Sequence, residues 1–195
     1  MIKRFFDILF SIIGLLLLTP FLILIVFFIK KRISNKIFFI QKRAGYHCKP
    51  IYLIKFRTMN ENKDNQGNLL PEEERIGSFG NWLRSNSIDE LPSMINILKG
   101  DISFVGPRPL LMEYLKYYDE DEIKRHNVMP GLSGWAQING RNLLSWEEKF
   151  ELDLWYVNNR NLLLDLKIIL ITVIKVISKK GVYTSRDKIM EKFKR

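Results

Sequence analysis

The sequence predicts an α+β fold, mostly α: an N-terminal membrane helix broken near its middle, plus a small domain of short strands and interfacial amphipathic helices. Three observations predict it. Ile8 to Phe28 carries no charged residue, and ~20 such residues are long enough to cross a bilayer core of about 30 Å. Short runs between residues 37 and 59 suit strands. From Arg75 onward, apolar residues recur at helical spacing. The expected division is 1–36 for the membrane helix with its basic flanks and 37–195 for the domain.

The membrane segment is flanked by Lys3 and Arg4 on one side and by Lys30, Lys31, Arg32 and Lys36 on the other. Positive charge prefers the cytoplasmic side of a membrane, and here both ends ask for it. Thr19-Pro20 sits near the centre. Pro20 cannot donate to the Leu16 carbonyl, so a kink is expected there, with the Thr19 hydroxyl available to a freed carbonyl. Each arm then spans roughly 16 Å. The segment either enters and leaves by one face or spans once with a mild kink. No small-x-small site follows it, so a cleaved signal peptide fits poorly.

The chain of 195 residues has 31 Lys+Arg against 21 Asp+Glu, a net charge of +10. Such a charge favours an anionic partner: nucleic acid, a membrane surface or a phosphorylated small molecule. One cysteine permits no internal disulfide, and one cysteine with two histidines argues against a Cys/His zinc site.

Ile37-Phe38-Phe39-Ile40 reads as a short apolar strand and Gln41 to Gly45 as a turn with exposed charge. Pro50 to Met59 suits a second strand. Lys55 and Arg57 are two apart, so on a strand they share a face. There they form either a phosphate clamp or the charged guard of an edge strand. The polar run Asn60 to Glu74 reads as a loop, and Arg75 to Asn86 as a short amphipathic helix ending near Arg84.

Ser87-Ile88-Asp89-Glu90-Leu91-Pro92 is the most informative stretch. Ser87-x-x-Glu90 has the form of a capping box, opening a helix from Ile88 to Lys99 that Gly100 ends. On that reading Glu90 caps and Asp89 complements the dipole. The functional reading uses the same place differently. An ionised carboxylate at a helix start can hold Mg²⁺ or attack phosphorus, if cations offset the repulsion from an anionic substrate. Arg108, stiffened between Pro107 and Pro109, is one such cation.

Leu110 to Arg125 reads as a helix whose acids are solvated. In Pro130 to Asn142, glycines allow close backbone approach to a ligand. Trp135 either stacks on a ligand or fills the core, and Arg141 supplies another cation. Trp146 to Val157 reads as an amphipathic helix. Leu162 to Ser178 is apolar but interrupted by Asp165, Lys167 and Lys175, so a buried or interfacial helix fits better than a span. The last residues form a basic tail suited to anionic headgroups.

Several motifs stand in one order: Lys55-Phe56-Arg57-Thr58-Met59, Asp89-Glu90-Leu91-Pro92, Leu98-Lys99-Gly100-Asp101, Val105-Gly106-Pro107-Arg108-Pro109, Pro130 to Gln137 and Asn139 to Asn142. Together they resemble the bacterial sugar transferases, and the short chain is similar to minimal monotopic polyprenyl-phosphate phosphoglycosyl transferases that start N-linked glycan assembly. The resemblance implies transfer of a phosphosugar from a UDP-sugar to undecaprenyl phosphate, with release of UMP. It implies Mg²⁺ and a covalent intermediate on Asp89, which also touches the metal. Glu90 assists, and Lys55, Arg57, Arg84, Arg108 and Arg141 hold phosphates. It further implies a re-entrant helix broken at Thr19-Pro20, in a bacterial cytoplasmic membrane, with the domain on the cytoplasmic face. Membrane lipids are the expected surroundings and nucleic acid is not an expected partner. Cys48, Ala44 and Ser93 depart from the glycine, proline and glutamine expected there. The competing readings are a non-catalytic basic adaptor at a membrane surface and a hydrolase of the sugar nucleotide.

Overall fold

A computed structural model of the chain describes residues 2–140, 143–178 and Phe193. Arg141 and the basic tail lie outside the described residues. The architecture is mostly helical with two small two-stranded sheets.

Helix α1 (Ile2–Arg32) runs without interruption through Thr19-Pro20. The expected break is therefore not a gap in the helix, which would extend roughly 46 Å if straight. Proline's fixed φ is helical, so Pro20 removes one hydrogen bond without ending the helix. The Thr19 hydroxyl donates to Leu15 O at 2.7 Å, one residue before the carbonyl that Pro20 frees.

Both ends of α1 are tied to the same domain. Near its start, Lys3 Nζ donates to Asp165 and Val105 O, and Arg4 donates to Ile97 O and Leu98 O. Asp7, buried, accepts from Phe104 N at 3.2 Å. Near its end, Ile25 and Ile29 pack with Phe56 and Leu83 in one core cluster. The outer face stays apolar and exposed: Leu16 is 70% and Leu17 75% accessible.

Strands β1 (Phe38–Ala44) and β2 (Pro50–Phe56) form an antiparallel hairpin. The charged stretch Gln41–Ala44 is strand, not turn; the turn lies at Gly45–Lys49, where His47 and Cys48 adopt positive φ. That backbone explains why glycine suits position 48. After α2 (Glu72–Arg75) and α3 (Ser78–Ser85), the chain turns at Ser87, itself left-handed at φ 55°. It then makes a 3-10 helix, Ile88–Ser93, and only afterwards α4 (Met94–Lys99). The expected single helix is thus two pieces.

The second piece docks along the edge of β2 that β1 leaves unpaired. Buried Asn96 donates to Tyr52 O and accepts from Ile54 N, and Ser93 Oγ donates to Ile54 O at 2.8 Å. Side chains here satisfy backbone groups that a third strand would otherwise take. This contact fixes the acidic pair beside Lys55. Below it, Ile51, Leu53, Ile97 and Ile102 close one core cluster.

Strands β3 (Ser103–Val105) and β4 (Gly131–Ser133) pair in parallel. A Cβ on Gly131 would lie 2.1 Å from Gly106 N, and one on Gly106 would lie 2.2 Å from Met129 O. These glycines therefore bring backbone against backbone, and Gly131 also lines the cleft that holds Lys55 and Arg108. Leu110 to Arg125 is not one helix but includes two 3-10 segments, Met112–Tyr117 and Glu122–Asn127. Glu122, read as solvated, is buried and accepts from Asp119 N.

Helices α5 (Trp135–Asn139), α6 (Trp146–Asn159) and α7 (Leu162–Ser178) complete the domain. Val105, Ile138, Tyr156 and Ile168 meet in a core cluster. Two of the charges inside α7 point inward, while Lys167 is exposed: Asp165 accepts from the Tyr156 hydroxyl at 2.6 Å, and Lys175 donates to Ile138 O at 2.6 Å. Its other face exposes Leu163, Leu166, Leu170, Ile174 and Ile177. That stripe is the exposed apolar face of an amphipathic helix.

Candidate active site

The 3-10 helix, the end of β2 and the loop after β3 converge on an open cleft. Lys55, Glu90 and Arg108 line it together. Glu90 Oε1 accepts from Lys55 Nζ at 2.7 Å and from Arg108 Nη2 at 2.6 Å, with its side chain 19% exposed. It makes no capping box, and Ser87 caps nothing. The reason is tertiary: the Glu90 carboxylate is taken by two cations from distant parts of the chain. Burial would raise the Glu90 carboxyl, but Arg108 and then Lys55 overcome it and hold it well below the usual range.

Asp89 is treated differently. In a 3-10 helix neighbours are about 120° apart, so the adjacent acids face different ways. Among the described residues the half-buried Asp89 carboxylate has no hydrogen bond or ion pair. Burial, and next the charge on Glu90, push it up to about 6, against the pull of Lys55, Arg84 and Arg108. It is still mostly ionised at pH 7. A raised pKa with retained charge makes a stronger nucleophile than an ordinary carboxylate.

The Gly106-Pro107-Arg108-Pro109 turn is held from both sides. Gly106 N donates to Ser133 O, and Gly131 N to Pro107 O. Arg125 donates to Arg108 O at 2.7 Å while its guanidinium pairs with buried Asp153 at 2.6 Å. Arg84, at the end of α3, donates from Nε to Thr58 Oγ1 at 3.0 Å and is otherwise 44% exposed.

Arg57 does not join this group. β2 ends at Phe56, so the strand no longer sets the direction of residue 57. Arg57 pairs with Glu61 at 2.9 Å, and Lys36 pairs with the same Glu61 at 3.0 Å. Trp135 stacks on Trp155 with ring centres 4.7 Å apart, and the Asn139 amide donates to Trp135 O. The sequence reading missed Arg43, which lines the cleft. Burial, then the repulsion of Arg108, lower it to about 10, so it remains a cation. The hairpin register would have found it: Arg43 faces Ile51, and Ile51, Leu53 and Lys55 share that side of the strand.

The described residues hold no cluster of three or more His, Cys, Asp or Glu suited to a metal. Mg²⁺ does not require one, because it commonly takes one or two carboxylates with substrate phosphates and water. Asp89, whose oxygens are uncommitted, fits that donor set.

The family described as bacterial sugar transferase matches residues 1–179. The uncharacterized sugar transferase EpsL of Bacillus subtilis (strain 168) is 48% identical over 192 residues, covering 98% of this chain and 95% of that protein. The exopolysaccharide production protein ExoY of Sinorhizobium fredii is 34% identical, covering 93% of this chain and 88% of that protein. The UDP-glucose:undecaprenyl-phosphate glucose-1-phosphate transferase of Escherichia coli (strain K12) is 37% identical over 94% of this chain, which spans 42% of that longer protein. With residues 1–179 matched by the family and nearly the whole chain matched by a sugar transferase 48% identical to it, this chain belongs to the bacterial sugar transferase family.

Proposed function

We propose that the chain moves a phosphosugar from a UDP-sugar to undecaprenyl phosphate, releasing UMP, through a covalent phosphosugar on Asp89. The observation that carries this is the division of labour between adjacent acids: Glu90 is consumed by Lys55 and Arg108, while Asp89 is left free beside the same cations. An Asp89 oxygen attacks the sugar-linked phosphorus, and the bond from that phosphorus to the bridging oxygen breaks, so UMP departs. A phosphate oxygen of the lipid carrier then attacks the same phosphorus and frees the Asp89 carboxylate.

Lys55, Arg108 and Arg84 offset the negative charge that builds as two anions approach. Arg43 lines the cleft beside Lys55 and Arg108 and adds a further cation. Glu90, ionised throughout, orients Lys55 and Arg108 and is not a proton donor. When bound at Asp89 and the diphosphate, Mg²⁺ supplies further charge neutralisation. The sugar transferase named for Escherichia coli acts on UDP-glucose and undecaprenyl phosphate, which supports both substrate classes here.

The same reading seats the chain on a membrane by a re-entrant α1, with the domain on the cytoplasmic face. α1 is long and apolar enough to cross a bilayer, yet its two ends hold one domain. Reporters fused at either terminus should both read cytoplasmic; ends on opposite faces would refute the hairpin.

For the reaction, UMP release is measured against a panel of UDP-sugars, with and without undecaprenyl phosphate. Multiple turnovers are expected only with the lipid and Mg²⁺ present. Sustained release without lipid would make the protein a hydrolase, and no release with any sugar would leave the adaptor reading.

A further inference from the structure

A second open cleft lies between the end of α1 and the start of α3. Arg32 and Arg75 line it, together with Thr58, Asn60 and the first turn of α3. Neither guanidinium has a carboxylate partner among the described residues. Arg32 sits over the rings of Phe28 and Phe79 at 5.5 and 5.8 Å. Arg75 spends only Nε, on Leu70 O. The nearby acids are engaged elsewhere: Glu61 with Lys36 and Arg57, and exposed Glu72 at 3.8 Å from Arg84. The start of α3 has no side-chain cap, so its free N–H groups also face an open site.

This cleft is linked to the catalytic residues through Arg84. Buried Thr58 lines it, and the Thr58 hydroxyl accepts from Arg84, whose charge acts on Asp89. A Cβ on Gly80 would lie 2.0 Å from Thr58 O, so α3 rests directly on the Thr58 backbone. The other side is the membrane helix, where Phe27 and Leu24 are more than half exposed.

We propose that Arg32 and Arg75 bind the phosphate monoester of the lipid acceptor, as a subsite separate from the Lys55–Arg108 cleft that takes the donor diphosphate. The inference rests on the transferase reading above. Two guanidiniums without a carboxylate partner, lining one cleft, match a dianionic phosphate in charge. Their place at the end of α1 lets a lipid-borne phosphate reach them while its hydrocarbon chain lies along the helix's apolar face. A water-soluble sugar nucleotide has no need of that entrance.

The test separates the two half-reactions. Arg32→Gln/Arg75→Gln protein in detergent micelles is assayed for exchange of labelled UMP into the UDP-sugar without acceptor, and for full turnover with undecaprenyl phosphate. Exchange should stay within about 2-fold of wild type, which also shows that the variant folds. The KM for undecaprenyl phosphate should rise about 10-fold or more, given the strength of charge-assisted bonds to phosphate. Arg75→Lys should recover part of the loss. An unchanged acceptor KM, a parallel fall in exchange, or a raised KM for the UDP-sugar instead would overturn the assignment. Wild-type protein with no exchange would overturn the two-step reading itself.

Discussion

Asp89→Asn is expected to abolish turnover and to make the protein more stable. The amide has the shape of the carboxylate but is no nucleophile toward phosphorus, so a loss on the order of 10³-fold or more is expected, about 4 kcal/mol of barrier. The stability gain follows from the charge. Burial and Glu90 raise the Asp89 carboxyl to about 6, which means that the folded protein penalises its ionised form. That penalty is present above pH 6. It shrinks as pH falls through about 6 and vanishes below the ordinary carboxylate value of 3.8. Asparagine removes it, by about 1–2 kcal/mol at pH 7 after allowing for partial solvent exposure. Thermal melts of both proteins without Mg²⁺ between pH 4 and 8 should show the Asn variant higher at pH 7, with the gap closing toward pH 4. Equal activity would remove Asp89 from the chemistry, and a lower melting temperature at pH 7 would contradict its repelled environment.

Arg125→Met should cost far more in stability than any change to an exposed arginine. The Arg125 and Asp153 side chains are 2% and 5% exposed, so the pair is sealed from water. Removing one member of a buried pair leaves an uncompensated group and costs about 3–5 kcal/mol. Burial already holds Asp153 above its ordinary value with Arg125 present, so the orphaned acid takes up a proton and the cost stays within that range. The backbone of Arg108 also loses its donor, and the cleft turn loosens. Urea denaturation should show the loss, and the double substitution Arg125→Met/Asp153→Leu should restore much of it. A single-variant loss under about 1 kcal/mol would mean that the pair does not hold the turn.

Legibility in the sequence tracked how local each cause was. Leu162–Ser178 was read with its observed bounds, because its apolar period is set within the helix. Lys55, Glu90 and Arg108 were each chosen from motifs, and they do converge. The Ser87-x-x-Glu90 pattern misled, whereas Ser145-x-x-Glu148 forms a true capping box at the start of α6. The two tetrads look alike in sequence. What separates them is that Glu148 bonds back to Ser145 N, while Glu90 meets Lys55 and Arg108 from distant parts of the chain. Arg43 was missed for the same reason: its face depends on pairing with β2, not on its neighbours. Leu110 to Arg125 has helical composition, but Arg125 turns inward to Asp153, a partner that no local pattern encodes. Asp101, read only as part of a motif, accepts from Asn96 and helps hold α4 on β2.

The most direct measurement is the mass of the protein after brief incubation with its UDP-sugar and Mg²⁺ in the absence of lipid acceptor, followed by peptide mapping. One phosphosugar should be found on the Asp89 side chain, discharged by undecaprenyl phosphate and absent from Asp89→Asn. An adduct on another residue, or none in protein that turns over normally when lipid is supplied, would contradict the account.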